Sequence, residues 1–283
     1  MPELPEVEVV RRTLTKEITN KVIKQVDVFW PRIITYPDNQ DEFKLGLEGQ
    51  KIGKLGRKGK YLLIEIGQHH ELVVHFRMTG KFKLLPPEER FQKHIHLFFH
   101  FQGEKEGLAY HDVRKFGDFF LVPKGDYRVI KGLYQAGIDP LDASFTYERF
   151  HGLLKSRKRQ VKALLLDQSV IAGLGNYLCD ELLWFPGEQG VHPARLSHEL
   201  NEREMKGMYH RMLDVIHQSI RLGGNSFRDF SYGNGIKGQF KQMLKVYARE
   251  GEPCFNCGTP IRRETVAGRS SHFCPACQPD SIS

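Results

Sequence analysis

CFNCGTPIRRETVAGRSSHFCPAC (254–277) sets Cys254, Cys257, Cys274 and Cys277 in a Cys-x2-Cys-x16-Cys-x2-Cys frame. Two close pairs, 16 residues apart, let two tight turns face each other and offer four thiolates to one tetrahedral ion. Zinc suits that donor set. With all four positions filled by cysteine, the expected cofactor is one structural Zn2+ without an open position for chemistry. A pair of disulfides or four unrelated thiols is the alternative, and the paired spacing, hard to reach by accident, together with a reducing compartment disfavours both. The segment between the pairs reads as a β-hairpin held by the metal. Cys179, the remaining cysteine, lies in an apolar stretch, so the reactive groups must be sought elsewhere.

Outward from the frame, 283 residues allow two compact units plus this metal-held appendage. The balance of 42 Lys+Arg against 34 Asp+Glu, a net charge of +8, favours a polyanionic partner without proving one. No 18-residue apolar run is present, and MPELPEVEVV carries acids where a signal peptide would be basic. A cytoplasmic protein with no membrane partner is expected.

Near the start, Val7, Val10, Leu14 and Ile18 recur at helical intervals, with Pro5, Glu6 and Glu8 in a first turn that suits Pro and acids. Segments 22–30, 60–66, 71–76, 94–101 and 118–122 are short, rich in Val, Ile and aromatics, and broken by Gly53, Gly56, Gly59, Gly80 and Gly117. They predict an antiparallel β-sandwich. Beyond a boundary between 125 and 150 the period changes. FHGLLKS, VKALLLDQ, YLCDELLWF and residues 201–222 read as helices, the last with Met205, Met208, Met212, Val215, Ile216 and Ile220 on one face. Those methionines read as core filler rather than ligands. Residues 225–240 have neither period, and read equally as a loop that orders over a ligand or as a disordered linker.

The terminus offers a reagent. A Pro in second position makes the initiator Met removable, leaving a secondary amine at the chain end. An α-amino group titrates at about 7.7–8.0, so much of it is free base near neutrality. The adjacent helix start disfavours its ammonium form further. Glu3 and Glu6 would stand close enough to move protons. By itself, however, a Met-Pro start is ordinary.

PELPEVEVVRRTL, RKGKYL, HFRMTG, DVRKFG, the GLGN turn and the closing CxxC…GRSSHFCPACQ, in this order over nearly the whole length, resemble bacterial formamidopyrimidine-DNA glycosylases. The resemblance implies an α+β, multidomain chain. An N-terminal β-sandwich flanked by helices (1–135) would lead into a helical domain with a helix-two-turn-helix and lesion-recognition loop (136–238), then a zinc-finger hairpin (239–283). It also implies excision of oxidised purines, such as 8-oxoguanine and formamidopyrimidines, from duplex DNA, followed by β,δ-elimination at the abasic site. By the same match Pro2 is the nucleophile, Glu3 the proton-transfer carboxylate, Glu6 its neighbour and Lys60 the catalytic lysine of the sandwich domain. Without the match, Lys60 reads as a solvated lysine beside Arg57 and Lys58.

Base chemistry requires the base to leave the stack, and the hole must be filled. Met78, Arg114 and Phe116 supply an apolar wedge, a hydrogen-bonding plane and an aromatic wedge, and they match the family's inserted residues. Singly, Phe116 reads as core and Arg114 as a surface charge. Gly173 and Gly175 open a helix whose amides, with Asn176, suit a phosphate. A basic run, Lys155, Arg157, Lys158, Arg159 and Lys162, precedes them and reads equally as a solvated face or as phosphate contacts, with Lys158 the matched position. Arg269, on the hairpin between the cysteine pairs, takes the family's phosphate-contacting place.

Departures touch specificity: GLGNYL where GNIY is usual, AGIDPL for LGPEPL, Thr79 where some members have glutamate, and the chain's own 225–240 loop. PELPE nevertheless argues for the purine branch over the endonuclease VIII branch, which begins PEGPE. Damaged double-stranded DNA is the expected partner of a monomer. Two rivals fit the charge: a non-catalytic, zinc-dependent damaged-DNA binder of the same fold, and an RNA-directed zinc protein. The binder has no need of the Pro-Glu start, and the RNA protein lacks its aromatic signature.

Overall fold

A computed structural model describes residues 2–225 and 238–280 of the chain. The described residues fall into two compact units, one within residues 1–134 and 222–239 and the other within 135–221 and 240–283.

The first unit begins with helix α1 (Leu4–Ile18). Glu3 is its N-cap in extended backbone, Pro5 sits in the first turn, and Glu6 closes a capping box. Its apolar stripe of Leu4, Val7, Val10, Leu14 and Ile18 is buried. The rest is β1 (Ile23–Val28), β2 (Ile34–Tyr36), α2 (Gln40–Leu45), β3 (Ile52–Lys58), β4 (Tyr61–Ile66), β5 (His70–His75), β6 (Lys81–Leu85), β7 (Ile95–Phe101), β8 (Gly107–His111), β9 (Asp118–Pro123) and α3 (Lys131–Tyr134).

Two sheets result, ordered β1-β7-β8-β6 and β2-β9-β5-β4-β3. Pairing is antiparallel as expected, except that the short edge strand β2 runs parallel to β9. Strand β4 shows why the pattern was readable: YLLIEI alternates half-buried and buried positions, sending Leu62, Ile64 and Ile66 into the core. Leu62, Leu72, Leu97, Phe99 and Phe119 pack with Val7, Val10, Leu14 and Ile18 of α1 in one cluster. On the other side of the five-stranded sheet, Val73, Phe120 and Val122 meet Ile130 and Leu133 at and beside α3.

The second unit holds α4 (Tyr147–Lys155), α5 (Val161–Leu166), α6 (Asn176–Leu183), α7 (Glu202–Arg221) and a hairpin of β10 (Arg262–Val266) and β11 (Arg269–Phe273). Met205, Met208 and Met212 of α7 are buried completely, as gap-filling core residues. Ala267 and Gly268 both have positive φ, at 52° and 70°, the backbone twist that a two-residue hairpin turn requires. Trp184, Val246 and Ile261 pack around Cys254 and Cys274. Among the described residues, no helix is long and apolar enough to cross a membrane.

Candidate active site and nucleic-acid interface

At the start of α1, Pro2, Glu3 and Glu6 are all buried. Glu6 uses both carboxylate oxygens: Oε2 accepts the Glu3 backbone N–H at 2.8 Å, and Oε1 accepts that of Asn225 at 2.7 Å. Residues 3 and 225 are thus held by one side chain. The bulk of the expected lesion-recognition loop, residues 226–237, lies outside the described residues.

Lys60 is 8% exposed, in the two-residue turn joining β3 to β4, where Gly59 takes a φ of 56°. Glu8, two residues beyond Glu6 on α1, ties this turn to the helix. Its carboxylate meets Arg11 at 2.7 Å, Arg12 at 2.8 Å and Arg57 at 3.3 Å, and Arg57 Nη1 donates to Gly59 O at 2.9 Å. Burial alone would raise the Glu8 pKa, but hydrogen bonds from Arg11 and Arg12 and the surrounding positive charge outweigh it and hold the group at about 2.

His75 is a neighbour the sequence did not single out. It pairs across the sheet with Tyr61, the residue after Lys60, with ring centroids 4.7 Å apart. Burial, with the charges of Arg77 and Lys60, pushes its pKa down to about 3, so the ring is neutral at physiological pH. Its buried Nδ1 has no hydrogen-bond partner. A buried, neutral histidine with one nitrogen unpaired is invisible to motif reading, since nothing about HELVVHF sets it apart from an ordinary strand.

Met78, Arg114 and Phe116, 36 and 38 positions apart in the chain, form one exposed cluster. Arg114 Nη1 lies 2.8 Å from Met78 Sδ, and its guanidinium stacks 4.6 Å above the Phe116 ring. Met78 is 42% and Phe116 50% exposed, so neither is core. Beneath them Asp112 is fully buried, and Thr79 nearly so.

In the second unit, Asn176 and Arg269 are brought together. Asn176, the first residue of α6, donates from Nδ2 to Ser270 O at 2.9 Å, immediately after Arg269 at the start of β11. The buried Asn176 Oδ1 is unpaired, and the exposed Arg269 side chain makes no hydrogen bond or ion pair among the described residues. The Gly-rich turn before α6 has Gly173 at a φ of 102°, with its N–H on Gln168 Oε1 at 2.9 Å.

The basic run divides. Lys155 caps the carbonyls of His198 and Leu200, Arg157 bonds Leu153 O, and Arg159 pairs with Asp167. Lys162 is not available to a phosphate: fully buried, it binds Asp180 at 2.6 Å, Ser271 Oγ at 2.7 Å and Ser270 O at 2.8 Å. Asp180 in turn accepts the His272 N–H at 2.9 Å, so this charged pair fastens β11 to α5 and α6. Lys158 is exposed and has no partner among the described residues.

The four frame cysteines converge, every Sγ within 4.8 Å of the others. Separations of 3.5 Å for Cys257 to Cys274, 3.5 Å for Cys257 to Cys277 and 3.9 Å for Cys254 to Cys277 exclude disulfides. They match the edges of about 3.8 Å expected of a tetrahedron with zinc–sulfur bonds of about 2.3 Å. Backbone N–H groups of Asn256 and Cys277 point at Cys254 and Cys274 sulfur, each at 3.4 Å, the support that a thiolate knuckle needs. These residues fit one structural Zn2+.

Comparison with known proteins agrees with this geometry. Residues 1–119 match the formamidopyrimidine-DNA glycosylase N-terminal domain, residues 136–231 the H2TH domain of the same proteins, and residues 251–279 the zinc finger found in FPG and IleRS. A formamidopyrimidine-DNA glycosylase of Oceanobacillus iheyensis is 41% identical over 280 residues, covering 99% of this chain and 98% of that one. Among solved structures, a Lactococcus lactis FPG mutant complexed with Fapy-dG containing DNA superimposes with a TM-score of 0.89 at 36% identity, covering 98% of this chain and 100% of that chain. MutM in complex with carbocyclic 8-oxo-G containing DNA gives 0.87 at 36% identity, with coverage of 98% and 100%.

Proposed function

The chain belongs to the formamidopyrimidine-DNA glycosylase family, and from that premise we propose that it excises oxidised purines from duplex DNA and then cleaves the abasic strand. Freed of Met1, Pro2 attacks C1′ of the extruded nucleotide, the glycosidic bond breaks as the base departs, and an iminium joins protein to sugar. Glu3 passes a proton to the ring oxygen as the sugar opens. A secondary amine suits the task because its iminium is cationic at any pH and acidifies the C2′ proton. Loss of that proton expels the 3′ phosphate, a second elimination expels the 5′ phosphate, and hydrolysis returns Pro2. Lys60 holds a phosphate near the reacting sugar, with His75 beside it as a neutral hydrogen-bonding group.

Met78, Arg114 and Phe116 fill the space that the base leaves, while Asn176, Arg269 and Lys158 bind phosphates of the strand. Cys254, Cys257, Cys274 and Cys277 would hold the zinc, which would keep Arg269 on a rigid hairpin and supply no chemistry. The enzyme works as a monomer in the cytoplasm, on the nucleoid.

The observation that carries the reading is the buried chain start. Pro2 and Glu3 are enclosed, and Glu6 fastens the residue after the nucleophile at 2.8 Å. A pure binder has no use for a terminus held in that way.

Borohydride trapping tests it. Untagged protein mixed with an 8-oxoguanine or abasic duplex should give a covalent adduct that peptide mapping assigns to Pro2. Binding without any adduct would leave the non-catalytic damaged-DNA binder as the better reading, and adducts that survive a blocked terminus would remove Pro2 from its role.

A further inference from the structure

We propose that Thr79 and Asp112 are positioning residues that lock the Met78 loop to the Arg114–Phe116 loop, so that the three-residue wedge is assembled before DNA arrives; the proposal rests on the glycosylase reading above. Asp112 lies under the wedge, and its two oxygens collect four donors from both loops. Oδ1 receives the Thr79 hydroxyl and the Arg114 N–H at 3.1 Å, and Oδ2 receives the N–H groups of Phe116 and Gly117, each at 2.9 Å. Three backbone amides of one turn therefore converge on a carboxylate, the arrangement of an anion nest occupied from within. Thr79 bridges the two loops with one atom, since Oγ1 donates to Asp112 and accepts from Arg114 N–H at 3.2 Å.

Two further features show that the loops are built as a unit. Gly80 and Gly117, one from each loop, both press on the Tyr110 hydroxyl, where an added Cβ would come within 1.9 and 2.0 Å of it. Any side chain at either position would pry its loop away. Arg77 and Lys115, next to Met78 and between Arg114 and Phe116, hold the left-handed region at φ of 53° and 58°, which side chains adopt only when surrounding bonds enforce it. The result is a buried floor of Thr79, Gly80, Asp112 and Gly117 beneath an exposed tip of Met78, Arg114 and Phe116.

Ordering a loose loop costs conformational entropy, and a wedge formed in advance avoids that cost at the moment when the base is being unstacked. The latch should thus matter for opening the duplex and little for chemistry on a sugar that has already lost its base. Thr79→Val keeps the shape and removes both hydrogen bonds, whereas Thr79→Ser keeps them.

Single-turnover rates would be measured on an 8-oxoguanine duplex and on a preformed abasic duplex, with thermal melts as a check on folding. Thr79→Val should slow base excision about 10-fold, within the range expected for losing these two hydrogen bonds, and change abasic cleavage less than about 2-fold. Thr79→Ser should restore excision. If Thr79→Val does not fold, Asp112→Asn, which keeps the volume and exchanges one acceptor for a donor, should show the same split. Excision at the wild-type rate, or equal losses on both substrates, overturns the proposal. A wild-type protein inert on both duplexes overturns it together with the reading it rests on.

Discussion

Replacing Glu8 by Gln should cost the protein about 3 kcal/mol at pH 7, because a carboxyl held at about 2 in the folded state against 4.5 in the unfolded chain carries roughly that much linkage energy. Burial opposes this shift, and the hydrogen bonds from Arg11 and Arg12 and the charges of Arg11 and Arg57 more than offset it. The sign follows from the direction. A depressed carboxyl pKa stabilises the folded state fully above about pH 4.5, and that contribution fades as pH falls toward 2, where both states are protonated. Urea unfolding of both proteins, followed by circular dichroism, should show a gap of about 3 kcal/mol at neutral pH that narrows to roughly 1 kcal/mol near pH 3. The same substitution removes the Glu8 contact of Arg57, whose guanidinium also donates to the Gly59 carbonyl in the Lys60 turn, so abasic-strand cleavage should fall as well. A gap that stays constant with pH would show that packing, not charge, is what Glu8 supplies, and no gap at all would refute the reasoning outright.

Emission spectroscopy should find one zinc per chain, and Cys274→Ala should abolish it; since a structural zinc site contributes on the order of 10 kcal/mol, the 251–279 segment should then lose its fold and the protein its DNA binding. Lys162→Met strands a buried carboxylate at Asp180 and should destabilise by about 3–5 kcal/mol, with Asp180→Asn in the same chain recovering part of the loss in urea titrations. His75 is held neutral with a pKa near 3, below its usual 6.5, so its contribution is present above pH 6.5 and is lost as pH falls toward 3. Stability of His75→Gln should accordingly decline less than wild type between pH 6.5 and 4, and an identical decline would remove His75 as the cause.

Reading the chain in order disclosed those features whose physics is local. Strands β1, β4, β5, β7 and β9 were visible because alternation or an apolar run marks a strand with a buried face, and α7 because its methionines and branched residues recur with the period of a helix. Strands β3, β6 and β8 were not, because IGKLGRK, KFKLL and GLAYH mix glycine, lysine and apolar residues without a clean period, and they become strands through neighbours already in place. Lys162 shows the limit for side chains. Within a basic run it looked like its neighbours, yet its partners lie 18 to 109 positions away, and their presence turns a would-be phosphate ligand into a buried fastening.

From sequence alone came the zinc frame, the two fold classes and the family resemblance, since a tetrahedral ion, a pleat and a helical turn each demand a fixed spacing along the chain. Tertiary structure alone decided that Glu6 joins residue 3 to residue 225, that Asp112 gathers two loops under one wedge, and that Asn176 meets the strand carrying Arg269. A hydrogen bond depends on separation in space, and folding brings together groups whose separation along the chain carries no trace of the pairing.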